Sequence, residues 1–355
     1  MAARSFRDKT ILIVGGAGFV GSNLSHRLLQ EKPARLLLVD NLLSADISNV
    51  PVDPVVDFRF GSIANDLILQ KLPERINFVF HLSTYHGNQS SMHDPLADHE
   101  NNTFTTLKLL ERLKDVQGLE AVVYSSAGCT VAQKTFDEAK PTTEDDPVSL
   151  YLDSPYQMSK IFGEFYGNYY WMRHGIPFVK ARFQNVYGPR EILGAGQWRG
   201  TPATVWRNVT PTFIWKALHD QPLPLEKGGV ATRDFIYVDD IVAGLMACAC
   251  SGEAGGVYNL ASGVETSIKD LADIINRLTG SKASVAVLEA RPWDRSGKRF
   301  GQTSKAEREL GFRPEVAIED GLARTIKWTR ENVVTVERCI AQHARYFEPQ
   351  KSAAQ

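Results

Sequence analysis

A tyrosine and a lysine four residues apart could carry out acid–base chemistry in this sequence. Tyr156 and Lys160 lie within a predicted helix, where this spacing puts the phenol and the ammonium on one face. A tyrosine in water has a pKa of about 10 and is a poor base at neutral pH. Because a nearby ammonium favours the phenolate, it lowers that pKa. We therefore predict that Tyr156 takes a proton from a substrate hydroxyl and that Lys160 activates it.

A serine pair precedes this tyrosine at the end of a predicted strand. Ser125 and Ser126 follow the apolar run 121–124. Ligands bind beyond the carboxyl ends of the strands in open parallel sheets. Ser126 could therefore hydrogen-bond the same substrate oxygen as Tyr156. A tyrosine and a lysine at this spacing also occur by chance on exposed helix faces, so the serine pair strengthens the interpretation.

A glycine-rich segment near residue 15 predicts a dinucleotide-binding turn, because it follows a predicted strand and opens a helix. Gly15 permits the tight turn, Gly18 lets backbone amides approach a pyrophosphate, and Gly21 lets the helix pack on the strand. The helix begins at Phe19 and Val20, and its N-terminus presents the positive end of a dipole to the phosphates.

The predicted second strand ends in a carboxylate, Asp40, followed by Asn41. A carboxylate at this place can bind both ribose hydroxyls and repels a 2′-phosphate. No lysine or arginine lies between Asp40 and Asp57 to attract such a phosphate. The sequence therefore favours NAD over NADP, although Asp40 could also serve only as a turn residue.

These residues lie in an alternating pattern of strands and helices. The predicted strands of the first half are 11–14, 36–39, 58–60, 78–82, 121–124 and 178–183, and the predicted helices include 19–29, 101–113 and 155–173. Apolar strands separated by helices indicate a doubly wound parallel sheet that is covered on both faces. Residues 191–211 show no periodicity, and further helices are predicted at 212–219, 239–250, 267–279 and 319–331, with a strand at 257–260.

Composition excludes several classes of function. The 355 residues include 40 basic and 41 acidic side chains, so the net charge of −1 gives no long-range attraction to nucleic acids or anionic membranes. The longest apolar run, residues 241–250, is about half of the roughly 20 residues that a membrane span needs. The four cysteines lack the spacing of a zinc site, so we expect no metal site. We expect their side chains to be free thiols in a reducing cytosol. We therefore expect a cytoplasmic protein.

Taken together, the motifs resemble the extended short-chain dehydrogenases/reductases of the NAD-dependent nucleotide-sugar epimerase/dehydratase family, in particular those similar to UDP-glucose 4-epimerase. The resemblance covers roughly residues 9–330 and includes segments 185–190, 233–240 and 310–312. It implies an α/β fold with a Rossmann-type doubly wound parallel sheet and a smaller interleaved α/β substrate lobe. The expected NAD-binding domain is 1–183 plus about 233–262. The expected sugar lobe is about 184–232 plus 263–335, and 336–355 is expected to be a C-terminal tail.

The resemblance also implies roles for individual residues. Ser126, Tyr156 and Lys160 would be catalytic. The residues implied to contact NAD are Gly15, Gly18, Phe19, Val20, Gly21, Asp40, Asn41, Leu82, Asn101, Tyr156, Lys160 and Phe183. A nucleoside-diphosphate sugar would contact Ser126, Asn185, Arg233, Arg291 and Asp294. The two arginines would neutralise the diphosphate, and Asp294 would lie close to the nucleoside.

The two residues after Ser126 bear on the reaction. Dehydratases of the family have an Asp–Glu pair there, whereas this chain has Ala127 and Gly128, which cannot move a proton. Inversion at C4 through a 4-keto intermediate needs no further acid or base, and small residues suit rotation of the sugar. We predict a C4 epimerase of a nucleoside-diphosphate sugar, with UDP as the commonest nucleotide in enzymes of this type and GDP, dTDP and CDP as alternatives. A 4,6-dehydratase, another keto-sugar-forming member such as a 3,5-epimerase or decarboxylase, and a non-catalytic NAD(H)-sensing protein remain alternatives.

Several features leave their role open at this point. Cys129 lies one residue from the position of the catalytic cysteine of C3/C5 epimerases, so a packing thiol is favoured. His86 and His93 could face the sugar or only support a loop. Segment 194–212, with Trp198, Arg199, Trp206 and Arg207, matches no general family feature. The aromatic stripe Phe162, Phe165, Tyr166, Tyr169 and Tyr170 predicts core packing, or a homodimer interface of the kind that relatives form with this helix and the one around 101–113.

Overall fold

Strands and helices alternate through the first half of the chain, as the sequence predicts. The structure is a computed structural model and describes residues 4–131, 135–291 and 297–347. In chain order the elements are β1 (Thr10–Val14), α1 (Phe19–Leu29), β2 (Arg35–Asp40), β3 (Val56–Phe60), α2 (Asp66–Gln70), β4 (Phe78–His81), α3 (Asn88–His93), α4 (Pro95–Asp98), a π-helix (His99–Phe104), α5 (Thr105–Leu113), β5 (Ala121–Ala127), α6 (Pro155–His174) and β6 (Phe178–Phe183).

Shorter strands and further helices make up the second half. They are β7 (Asn185–Tyr187), α7 (Val209–Leu218), β8 (Leu223–Glu226), β9 (Thr232–Tyr237), α8 (Val238–Ser251), β10 (Val257–Leu260), β11 (Glu265–Ser267), α9 (Ile268–Thr279), β12 (Val285–Leu288), α10 (Ser304–Leu310), α11 (Ile318–Glu331) and α12 (Val333–Ala341). The sequence missed α2, α3, α4, α10 and α12 and the strands β7, β11 and β12. Most of these are too short to show a clear apolar period.

The main sheet has seven strands in the order β10-β6-β5-β4-β1-β2-β3, and all of its pairings are parallel. Successive side chains of β1 enter different cores, because side chains alternate across a strand. Ile11 and Ile13 pack with residues of α1 and α8, while Leu12 and Val14 pack with residues of α5 and α6. Both faces of the sheet are therefore covered, which confirms the predicted Rossmann-type fold.

A second core lies among α7, α9, α11 and the small sheet β11-β9-β7. Phe213, Leu271 and Leu322 are buried there. β9 pairs with β7 and β11, although the sequence-based division assigned residues 233–262 to the NAD-binding domain. In contrast, β10 returns to the main sheet beside β6, so the chain passes from the large sheet to the small one and back. The domain boundaries themselves stay a prediction.

The C-terminal region differs from the predicted tail at 336–355. Residues 333–341 form α12, and a short helical turn follows at Ala344–Tyr346. Val336 and Cys339 are buried against Ile192 and Trp215. The prediction of a tail was wrong for the described part of this segment, because the apolar stripe of α12 packs on a loop that is more than 100 residues away in the sequence.

Two glycines let α6 lie directly on the main sheet. A Cβ atom at Gly163 would lie 2.1 Å from the hydroxyl of Tyr124 on β5, and one at Gly167 would lie 1.9 Å from the ring of Phe178 on β6. Both contacts are far shorter than a van der Waals contact, so any side chain would push the helix away from the strands. The position of every side chain on the inner face of α6 depends on these glycines.

The first prediction concerns Gly167→Ala. In a helix interior alanine is normally more stable than glycine by about 1 kcal/mol. Here we expect the clash with Phe178 to outweigh that gain and to lower the free energy of unfolding by about 1–3 kcal/mol, measured by chemical denaturation. Met172→Ala, on the exposed side of the same helix, is the matched control and should change stability by less than about 0.5 kcal/mol. A stabilised Gly167→Ala variant would contradict the close approach of α6.

Candidate active site

A cavity of about 720 Å³ opens at the carboxyl ends of the main strands. It is lined by all the predicted site residues that the structure describes: Gly15, Gly18, Phe19, Val20, Gly21, Asp40, Asn41, Leu82, Asn101, Ser126, Tyr156, Lys160, Phe183, Asn185, Arg233 and Arg291. Asp294 and the side chain of Cys129 lie outside the described part of the chain. Residues more than 270 positions apart in sequence thus face one space.

The turn after β1 has the geometry that a dinucleotide phosphate needs. Gly15 has a φ of +88°, its N–H donates to Val39 O, and a Cβ atom there would lie 2.6 Å from the Ser83 nitrogen. At Gly21 a Cβ atom would lie 2.1 Å from Gly15 O. At Gly18, in contrast, the nearest non-local contact of a Cβ atom among the described residues would be Gly15 O, at 3.2 Å, and this residue faces the cavity. A side chain there would fill the place of the ligand, so the turn fits the pyrophosphate of NAD.

The carboxylate of Asp40 holds the turn and also faces the cavity. Its Oδ2 accepts the Ala17 N–H at 3.0 Å, and its Oδ1 accepts the Leu42 N–H at 2.8 Å. Burial raises the pKa of the carboxyl, and these backbone amides oppose that effect. Asp40 therefore shapes the turn and also lines the cavity, and its contact with a ribose stays a prediction.

The ammonium of Lys160 is buried beside the phenol of Tyr156. Its Nζ donates to the carbonyl of Ser125 at 2.8 Å and lies 5.9 Å from the centre of the Tyr156 ring. Helix α6 begins at Pro155, and the Tyr156 N–H donates to Ser91 Oγ at 3.2 Å. Only 3% of Lys160 is exposed, so its charge acts on the phenol with little screening by water.

A buried ion pair that the sequence reasoning missed holds Ser126. The hydroxyl of Ser126 donates to Glu164 Oε1 at 2.5 Å, and Arg182 donates to both oxygens of Glu164, at 2.9 and 2.8 Å. Glu164 follows Lys160 by four residues, so it lies on the same helix face. This spacing is the signal that could have revealed it.

The side chain of Gln184 changes the interpretation of Gly128. A Cβ atom at Gly128 would lie 2.2 Å from Gln184 Nε2, and one at Gly301 would lie 2.9 Å from the same nitrogen. The space beside Gly128 is therefore occupied by a carboxamide of this chain. The expectation that Gly128 leaves room for a rotating sugar was wrong, although Ala127 does line the cavity. Gln184, which also lines it, was not singled out from the sequence.

The histidines and the tryptophan–arginine segment separate into lining and supporting residues. His86 lines the cavity with its ring centre 5.9 Å from that of Tyr156, and burial lowers its pKa to about 3, so it is neutral. His93 instead packs against Gly200.

Trp206 and Arg207 line the cavity, and Arg207 donates to the carbonyls of Ser44, Ile192 and Ala195. Trp198 stacks on Tyr346, and Arg199 donates to the carbonyl of His86.

Other chemistry that the sequence considered finds no structural support within the described residues. Cys248, Cys250 and Cys339 are thiols, and burial raises the pKa of Cys250 and of Cys339 to about 11. In the part of the chain that the structure covers, no three histidine, cysteine or acidic residues come together as a metal site. Nor does any helix in the described ranges have the length and apolar character to span a membrane.

Comparisons with known proteins agree with this geometry. The profile of the NAD-dependent epimerase/dehydratase family matches residues 11–261. The solved structure of the Bordetella bronchiseptica enzyme WbmF, in complex with NAD+ and UDP, is 57% identical, covers 96% of this chain and 98% of its own, and has a TM-score of 0.87. The UDP-glucuronate 4-epimerase of Thermodesulfobacterium geofontis is 30% identical over 92% of this chain and 98% of its own. The UDP-glucose 4-epimerase of Mycolicibacterium smegmatis is 29% identical over 90% and 98%. The chain belongs to the NAD-dependent epimerase/dehydratase family.

Proposed function

We propose that the protein inverts C4 of a UDP-sugar in an NAD-dependent reaction through a 4-keto intermediate. The observation that carries the proposal is the group formed by Tyr156, Lys160 and Ser126 at the cavity wall, with Ala127 and Gly128 directly after the serine. This group can remove one proton and return it. It provides no acid–base pair for a second, eliminating step.

Two parts of the cavity wall would hold the two ligands. The Gly15–Gly21 turn, the N-terminus of α1 and Asp40 would bind NAD, which supplies a hydride acceptor and donor for the sugar carbon when bound. Arg233 and Arg291 would face the diphosphate of the sugar nucleotide. Arg233 donates to the carbonyls of Thr232 and Gly297, and Arg291 pairs with Glu226, so both guanidinium groups have defined positions.

The proton steps follow from the positions of the side chains. Tyr156, as phenolate, takes the proton of the C4 hydroxyl, and the charge of Lys160 stabilises the phenolate. Ser126 donates its own proton to Glu164, so its lone pairs can accept a hydrogen bond only from a sugar hydroxyl other than the one that Tyr156 deprotonates. Once the keto sugar has turned over and C4 has regained its hydrogen on the opposite face, Tyr156 returns the proton to the C4 oxygen.

Dehydration is the main alternative within the family, and it needs a further acid and base. Three carboxylates line the described wall of the cavity, and each has a partner in the protein. Asp40 accepts two backbone amides, Glu226 pairs with Arg291, and Glu191 accepts from Asn208. None of them directly follows Ser126, where the chain has Ala127 and Gly128. The partners of Asp40 and Glu226 and the absence of an acidic residue directly after Ser126 support epimerisation over elimination.

The relatives support uridine as the base but differ in the sugar. WbmF binds UDP, while the two curated epimerases act on UDP-glucuronate and UDP-glucose. Family membership alone therefore leaves the sugar open.

The second prediction concerns Tyr156→Phe, which removes only the phenolic hydroxyl. We expect the rate of C4 inversion to fall by about 10²- to 10⁴-fold, because a general base in the transition state is lost. Proton NMR of a panel of UDP-sugars incubated with the enzyme and NAD measures the configuration at C4. Tyr169→Phe, the same change on the exposed side of α6, is the control and should leave the rate unchanged.

Two outcomes would argue against this function. Accumulation of a 4-keto-6-deoxy sugar in place of the C4 epimer would indicate a dehydratase. An unchanged biological activity of Tyr156→Phe, with NAD still bound, would indicate a non-catalytic NAD(H)-sensing protein.

We further propose that the chain forms a homodimer through α5 and α6. Tyr170 is buried, but Phe162, Phe165 and Tyr169 are each about half exposed, and Phe104 beside α5 is 42% exposed. A contiguous exposed apolar surface of this kind marks a protein interface. A second copy of the same face would cover these rings through a two-fold axis.

The third prediction tests this interface with Phe165→Asp. A carboxylate at the centre of an apolar contact is costly to bury, so we expect the variant to be a monomer at micromolar concentration in sedimentation experiments. Val334→Asp places the same charge on a more exposed apolar residue of α12 and should leave a dimer intact. A wild-type protein that sediments as a monomer would refute the interface.

The cytosol remains the proposed compartment. Its support is the free thiol state of Cys248, Cys250 and Cys339, which suits a reducing environment. Fractionation of cells that express a tagged chain would test it.

A further inference from the structure

Arg299 differs from the other cationic side chains of the cavity. It lines the wall, and within the described residues its guanidinium makes neither a hydrogen bond nor an ion pair. Its Nε is buried without a hydrogen-bond acceptor, as are those of Arg207 and Arg291, but those two side chains have other polar partners. The other basic residues of the wall have partners or ring contacts in the protein: Lys160, Arg190, Arg207, Lys216, Arg233 and Arg291.

The backbone places Arg299 between the two ends of the proposed sugar site. Its N–H donates to Thr232 Oγ1 at 3.1 Å, directly beside Arg233, the proposed diphosphate residue. Two residues later, Gly301 lies against the carboxamide of Gln184. That carboxamide fills the space next to Gly128, which is two residues after Ser126 in the sequence. Arg299 therefore faces the region that the sugar ring would occupy.

The charges of the wall also leave Arg299 uncompensated. Seven basic and three acidic side chains line the described cavity, and the three acids already have the partners given above. Arg299 is only partly buried, but its Nε is shielded from water without a partner, and an unpartnered buried polar atom is costly. An anionic group of a bound ligand would remove that cost.

We propose that Arg299 binds a carboxylate carried by the sugar ring, so that the preferred substrate is a UDP-hexuronic acid. The inference rests on the proposed function, since it assigns the sugar for that same site. Arg233 and Arg291 already provide two cations for two phosphates. A planar guanidinium matches a carboxylate with two parallel hydrogen bonds, and the carboxamide of Gln184 offers a further donor.

Binding measurements can separate a carboxylate from a phosphate contact. The protein is loaded with NAD and carries Tyr156→Phe, so that ligands are not turned over, and it is titrated with UDP, UDP-glucose and UDP-glucuronate in a calorimeter. We expect UDP-glucuronate to bind more tightly than UDP-glucose. Arg299→Gln should weaken UDP-glucuronate by about 10- to 100-fold, and leave UDP and UDP-glucose within about twofold. Arg299→Lys, which keeps the charge but loses the planar fork, should cause an intermediate loss.

The other outcomes refute the inference in distinguishable ways. An equal loss for all three ligands in Arg299→Gln would make Arg299 a diphosphate contact, and C4 epimerisation would still stand. Tighter binding of UDP-glucose than of UDP-glucuronate would exclude an acidic sugar and also leave the reaction untouched. Failure of all three ligands to bind would contradict the proposed function and this inference together.

Discussion

The close approach of α6 to strands β5 and β6 is the constraint on which the candidate site depends. Only glycine fits at positions 163 and 167, because the hydroxyl of Tyr124 and the ring of Phe178 already occupy the space of a side chain. At this distance Lys160 reaches the carbonyl of Ser125, and Glu164 reaches the hydroxyl of Ser126. A helix held further from the sheet by even one methyl group would lose both hydrogen bonds. The arrangement of the candidate catalytic groups thus depends directly on how closely α6 packs on the sheet.

The buried ion pair of Glu164 and Arg182 orients the hydroxyl of Ser126, an effect separate from its contribution to stability. Burying Glu164 and Arg182 costs desolvation, and a buried pair of this kind is often no more stabilising than apolar side chains of the same volume. The pair does decide where the single proton of Ser126 points, since Glu164 accepts it. A serine whose proton is committed in this way can only accept from the substrate. The same contact therefore makes Tyr156 the group that must carry the mobile proton.

The parts of the site that follow from the sequence are those encoded by local spacing. The glycines at 15, 18 and 21, the pair Tyr156–Lys160 and the strand ends at Asp40 and Ser126 each lie within a few residues of a strongly periodic element, and they all reach one cavity. Gln184 directly follows β6, but a lone glutamine there indicates no particular chemistry, and the position of Arg299 depends on contacts between segments that are distant in sequence. Helix α12 was missed for the same reason, because its apolar side chains are buried by Ile192 and Trp215, which are distant in sequence. At Gly128 the sequence suggested space for the sugar, but the carboxamide of Gln184 fills that space. A small residue leaves room that another side chain of the protein can occupy.

The net charge of −1 describes the chain as a whole and says little about this cavity. Charges on the outer surface are screened within about 8–10 Å at physiological ionic strength, whereas those facing a partly enclosed space act with much less screening. An excess of basic residues in the wall therefore attracts anionic ligands even though the total is close to zero. The pyrophosphate of NAD needs few of these charges, because the backbone amides of the Gly15–Gly21 turn and the dipole of α1 can neutralise it. The side-chain cations are thereby left for the second ligand, and their arrangement along the cavity, more than their number, determines which anionic groups that ligand must carry.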